Sequence, residues 1–235
     1  MRALAEFIMR GRMQASLVAL VGNLIPLVSP ATVGLVTLRR SYQESLLVLL
    51  WAAMPLLARL FFSNARQLIV LTSLITLLGV VVSAQVLRGT MSWQLTLLAA
   101  LVFSSLLMLV TGTLLAEETR QIAVEVEALM ADLASVADNP VSPFYVLMAG
   151  VAKNLAIEKM SEGFVIGFFA WLMVIHIVGS LLLSRWWQSL LFNPGGFREE
   201  FHILRFNPVL ASALLLAVVL FYLLPTTYVP WASML

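Results

Sequence analysis

Five stretches of this chain, residues 13–38, 67–87, 89–116, 163–184 and 206–235, run for 21 residues or more without an Asp, Glu, Lys or Arg. A sixth, 45–62, holds only Arg59. Uncharged runs of that length are what a hydrocarbon layer about 30 Å thick demands of a helix that rises ~1.5 Å per residue. With no water to satisfy the backbone, each run must close its own hydrogen bonds as helix. The chain therefore reads as an all-α, polytopic transmembrane helical bundle.

Composition supports this. Hydrophobic residues make up 61% and charged residues 11%, with a mean hydropathy of +0.99. A soluble domain carries about 25% charged residues. The net charge of +2 is small, and no basic run interleaves with aromatics, so nucleic acid is not an expected partner. Without cysteines there is no disulfide framework, thiolate nucleophile or Cys-based metal site.

The spans expected are 45–62, 68–87, 92–115, 163–184 and 208–224, preceded by 13–38, which is interrupted by Asn23, Pro26, Ser29 and Pro30. Proline removes a donor and disfavours helix in the residue before it, so a break is expected there. Positive charge decides between one crossing and a hairpin. A single crossing divides the Lys and Arg residues eight to six, whereas a turn at the prolines moves Arg39 and Arg40 to the side of Arg2, Arg10 and Arg12 and divides them nine to five. The hairpin obeys the positive-inside rule better. This makes six to seven membrane segments in one domain, with the proline-broken hairpin formed by about 4–25 and 30–38 and the N-terminus cytoplasmic. The basic residues before Met13 resemble the start of a signal peptide, but no small-x-small cleavage pattern follows. The apolar end after Pro225 fits either an interfacial segment anchored by Tyr228 and Trp231 or a shortened chain.

Residues 117–162 then lie outside the cytoplasm. They hold eight acidic residues against three basic ones, a net of −5, while the rest of the chain is +7. Ile122, Val126, Leu129, Met130, Leu133 and Val136 recur at helical spacing, so this acidic loop is expected to begin as an amphipathic helix. Asp138-Asn139-Pro140 ends that helix, and Ser142-Pro143 opens a second. Residues 193–206 read as an interfacial helix, with Phe197, Phe201 and Leu204 on one face and Trp186 and Trp187 just before it in the headgroup belt.

Catalytic motifs are missing from the sequence: no HExxH, Gly-x-Ser-x-Gly or P-loop occurs, and no enzyme activity, cofactor or metal is expected. Polar residues inside the spans are the better pointers, because hydrocarbon makes them costly. Asn23 lies at the break, where it either caps a half-helix or faces a substrate. His176 lies deep in its span, either packed with one hydrogen bond or facing a ligand. These two are the candidate substrate-binding residues. Arg59 reads as snorkelling to the near surface. Gly163, Gly167 and Gly179 read as helix-packing positions, with Gly112 as a further one.

The order of these features, with Leu27–Arg40 and the Pro-Gly-Gly-Phe-Arg-Glu-Glu-Phe stretch within Asn193–Arg205 as its most specific pieces, resembles the YybS-like family of bacterial membrane proteins, whose function is unknown. That family is in turn distantly similar to the substrate-binding membrane subunits of energy-coupling-factor transporters. The resemblance implies a bacterial inner-membrane location and small-molecule uptake alongside protein partner subunits, and it transfers no binding residue. The competing expectation is a non-transporting scaffold for cell-envelope proteins that makes its contacts through 117–162 and 193–206.

Overall fold

The computed structural model describes residues 1–63, 66–136, 162–198 and 212. Four helices are long and apolar enough to cross a membrane: α4 (Tyr42–Phe62), α5 (Gln67–Thr90), α6 (Trp93–Leu114) and α8 (Glu162–Phe192). α4 and α6 start where hydroxyls cap them, Ser41 Oγ accepting from the Glu44 amide and Ser92 Oγ from that of Leu95. Their outward faces carry Leu50, Met54, Phe61, Leu101, Val102 and Leu106, all exposed. So large an apolar surface belongs against lipid. No strand occurs among the described residues.

Three shorter helices precede these: α1 (Arg2–Arg10), α2 (Arg12–Val21) and α3 (Val28–Arg39). The arm expected over 4–25 is therefore two helices, separated at Gly11, where the backbone is fully extended. The reason is amphipathicity. α1 buries Ala5 and Ile8 while Arg2, Glu6 and Arg10 stay exposed, so it packs on α2 and α8 at the arginine-rich end of the bundle instead of prolonging α2.

α2 and α3 meet across a tight turn. Ile25 is extended, as the residue before Pro26 is disposed to be, and Leu27 takes a left-handed conformation (φ 70°). Pro30 does not contribute to the break. It sits in the first turn of α3, where no intrahelical donor is lost. The Ser29 hydroxyl donates to Ala19 O (2.7 Å), and Arg40 donates to Met9 O, so both ends of α3 lie beside α1 and α2.

α3 occupies the centre of the bundle. Every residue from Ala31 to Leu38 is buried, enclosed by α2, α4, α5 and α8. Its small and β-branched side chains permit this, and its hydroxyls find partners. Thr32 and Thr37 donate to Val28 O and Val33 O, and Thr37 also meets Ser45 Oγ at 2.5 Å. On α8, Ser184 bridges the two helices by donating to Ala31 O (2.8 Å) or to its own Ser180 O (2.7 Å).

α8 runs well past the expected end at 184, to Phe192. Trp187, expected in the headgroup belt, is instead fully buried in the core that joins α1, α2, α3 and α4. Helix α7 (Ala116–Val136) forms where the acidic amphipathic pattern predicts one. It is tied to the start of α5, where Glu118 accepts from the Gln67 and Leu68 amides (3.3 and 2.8 Å) and Glu125 pairs with Arg66. The second loop helix from Ser142, the span 208–224 and the interfacial segment beyond Arg198 lie outside the described residues.

Candidate functional site

The shortness of α2 and α3 creates the site. At ten and twelve residues they reach only ~15 and ~18 Å, whereas α4, α5 and α8 continue past the turn that joins them. The space beyond that turn is a cavity of about 310 Å³. Its floor is the turn itself, from Gly22 to Pro30. Its walls are Leu56 and Arg59 of α4, the Ile69–Leu77 stretch of α5, and Phe169, Leu172, Met173 and His176 of α8. Non-helical backbone is tolerated at membrane depth when it lines a cavity of this kind.

Both candidate residues, Asn23 and His176, line this one cavity although 153 positions separate them in the sequence. Asn23 is half-buried, and its amide nitrogen lies within hydrogen-bonding distance of Ala19 O (3.1 Å), Leu20 O (3.3 Å) and, across to α4, Ala52 O (3.0 Å). It satisfies the carbonyls left open where α2 ends and ties the turn to α4, which gives it a clear structural role. His176 is exposed, and its imidazole has no hydrogen-bond partner among the described residues. The interhelical hydrogen bond expected of a packed histidine is not formed among them.

Arg59 completes the site. Read helix by helix it is a cation near a span end, but the fold sets it in the lining of the same cavity as Asn23 and His176. Its guanidinium has no ion pair or hydrogen bond among the described residues, and no carboxylate lines the cavity. The signal available in the sequence was its isolation, as the one charge within 45–62. Among the described residues no three of His, Asp or Glu come together as metal ligands.

Gly34 and Gly79 join the expected Gly112 at close helix approaches. A Cβ on Gly34 would lie 2.5 Å from Ser184 Oγ, one on Gly79 2.4 Å from Ile177, and one on Gly112 2.6 Å from Ile166. These are the close approaches that link α3, α5 and α6 to α8. Gly179 faces Leu27 at an ordinary 3.5 Å. Gly163 is buried and Gly167 half-buried near the start of α8.

The opposite end of the bundle is arginine-rich. Arg2, Arg10, Arg39 and Arg40 line one surface hollow with Glu6 and Glu44. Glu44 pairs with Arg12 (3.1 Å) and Arg40 (3.0 Å), and Arg88 donates to Thr37 O and Arg40 O. Comparison of the chain with family models, with curated sequences and with solved structures returns no match.

Proposed function

We propose that this membrane protein binds a small molecule in the cavity beyond the α2–α3 turn and works alongside partner subunits in a bacterial inner membrane. The observation that carries the reading is the meeting of Asn23, Arg59 and His176 around one partly open cavity at the turn between α2 and α3. Broken helices near the membrane midplane, with the freed backbone facing a cavity, are how transport proteins build substrate sites. The resemblance to the YybS-like family, and through it to transporter binding subunits, points the same way. The test is mass spectrometry of the intact protein released from native membranes. A bound species should be retained, and Ser73→Trp, which fills the cavity from α5, should abolish it. Protein that carries nothing under either condition refutes the reading.

The same proposal sets orientation. With α2 and α3 forming a hairpin that enters and leaves on one side, Arg2, Arg10, Arg12, Arg39, Arg40, Arg88, Arg185 and Arg198 fall on the cytoplasmic side and Arg59, Arg66 and Arg120 on the other. The chain contains no cysteine, so single introduced thiols report cleanly. Ser63→Cys should react with an impermeant maleimide in intact cells, and Ser41→Cys and Ala3→Cys only after permeabilisation; labelling of positions 3 and 41 from opposite sides refutes the hairpin. The scaffold reading is less well supported, because α7 uses Glu118 and Glu125 on this chain's own α5. Stoichiometric crosslinks from α7 to an envelope protein would favour it.

A further inference from the structure

The hydrogen-bond inventory of the cavity wall narrows the ligand's chemistry. Seven of the described side chains that line the cavity carry polar atoms, and five have their donors committed to backbone carbonyls. Ser29 donates to Ala19 O, Thr72 to Leu68 O, Ser73 to Ile69 O and Thr76 to Thr72 O, and the Asn23 amide is held by three carbonyls. Among the described side chains of the wall, only Arg59 and His176 keep donor capacity for a ligand. A sugar or nucleoside would leave several oxygen acceptors unpaired there, at a cost of a kind binding sites avoid. One anionic group would not, because Arg59 offers a planar fork of donors that fits a carboxylate, and no carboxylate among the described wall residues competes for it.

Away from Arg59, Leu56, Leu77, Phe169 and Met173 give the wall an apolar part. Leu77 and Met173 are almost fully buried, and the Thr76 hydroxyl is turned to its own helix. At the side, Ile25, Ile69 and Leu172 are exposed where the α2–α3 turn, α5 and α8 border the lipid. Resting on the cavity reading above, we propose that the occupant is a single-chain anionic amphiphile taken sideways from the lipid phase. Its carboxylate sits on Arg59 and its hydrocarbon chain runs inward to Leu77 and Met173. The anion sits near the end of α4, about 5 Å from its last residue, where an amphiphile's headgroup already resides. Entry from the bilayer therefore needs no transfer of charge across hydrocarbon.

The test uses the full chain in phosphatidylcholine nanodiscs with dodecanoate carrying a photoactivatable group at its tail end, and dodecanol carrying the same group as the uncharged control. The carboxylate probe should label Thr76, Leu77 or Met173 and be displaced by unlabelled dodecanoate. Arg59→Gln should reduce that labelling ~10-fold, the loss of one charge-assisted contact, while Arg59→Lys should keep most of it. Equal labelling of the same residues by dodecanol overturns the anion assignment but leaves the cavity a binding site. Labelling confined to Ile25, Ile69 and Leu172, and indifferent to Arg59→Gln, is ordinary lipid contact and overturns the proposal. Absence of label from either probe also overturns it, and the retained-species experiment with Ser73→Trp then judges the cavity separately.

Discussion

The centre of this protein rests on one missing methyl group, at Gly34. α3 is short and wholly enclosed, so it cannot shift toward solvent to relieve a clash. A Cβ at position 34 would stand 2.5 Å from Ser184 Oγ, 3.3 Å from Ser184 Cβ and 3.2 Å from Val80 Cγ1. Carbon contacts are favourable near 3.5–4.0 Å, so all three neighbours must retreat, the hydroxyl by about 1 Å. Ser184 can retreat only by giving up its 2.8 Å bond to Ala31 O, and interhelical hydrogen bonds in membranes are worth roughly 0.6 kcal/mol on average. Overpacking adds ~1–3 kcal/mol. Gly34→Ala should thus destabilise the bundle by about 2–3 kcal/mol, even though alanine is the better helix former. Gly89→Ala is the matched control, because nothing lies within 4 Å of a Cβ there, and it should be neutral or stabilising. The decisive measurement is a double-mutant cycle with Ser184→Ala, read by reversible detergent unfolding. Removing the hydroxyl removes the 2.5 Å clash, so the double variant should be more stable than the sum of the single effects by ~1 kcal/mol. Strict additivity, or a Gly34→Ala effect no larger than that of Gly89→Ala, would refute the claim that α3 and α8 touch through this glycine.

Two further outcomes follow from the ends of α5. Glu118 supplies from α7 the N-terminal cap that α5 lacks from its own Arg66, so Glu118→Ala should cost about 1–2 kcal/mol, and α7 amides should exchange with solvent markedly faster. At the other end, Met91 is exposed and left-handed (φ 51°) as the C-cap of α5. Met91→Gly should therefore stabilise the protein by ~1 kcal/mol, seen as a raised midpoint in the same unfolding assay.

The parts of this fold legible in the sequence are those that depend on one helix at a time. α4, α5 and α6 begin and end within about three residues of their expected bounds, because hydrocarbon thickness and hydroxyl caps act locally. The parts that were not legible depend on partners. Charge at Arg185 suggests that the last long span stops before it, yet α8 continues, with Arg185 donating to Gln188 Oε1 (2.7 Å) and Trp187 buried behind it. Likewise the extended residue at Gly11 follows from where α1 finds its packing face, on α2 and α8, and the α8 part of that face lies in no window of the first thirty residues. Of the site, Asn23 and His176 are visible as polar atoms at costly depth. Arg59 is not, since its nearness to a helix end offers a sufficient reason for its presence until the fold sets it beside them.

The central helix and the cavity have a common cause. Residues 13–38 are numerous enough to cross the membrane once as a straight helix, at ~39 Å. Divided at Pro26, they instead make two helices of ten and twelve residues, and the neighbours that enclose α3 extend beyond it. What fills the first half of the bundle therefore leaves the second half open, and the residues at the turn line that opening. A chain that straightened this segment would gain a continuous helix and lose the space. Substituting Pro26 and Leu27 together by alanine allows that alternative. If the cavity depends on the break, the double variant should lose retained ligand and move the reactivity of a cysteine at Ser41 to the opposite face of the membrane. Ligand retention and unchanged labelling would show that the turn is held by its tertiary partners, Asn23 and Ser29 foremost, and not by the local sequence.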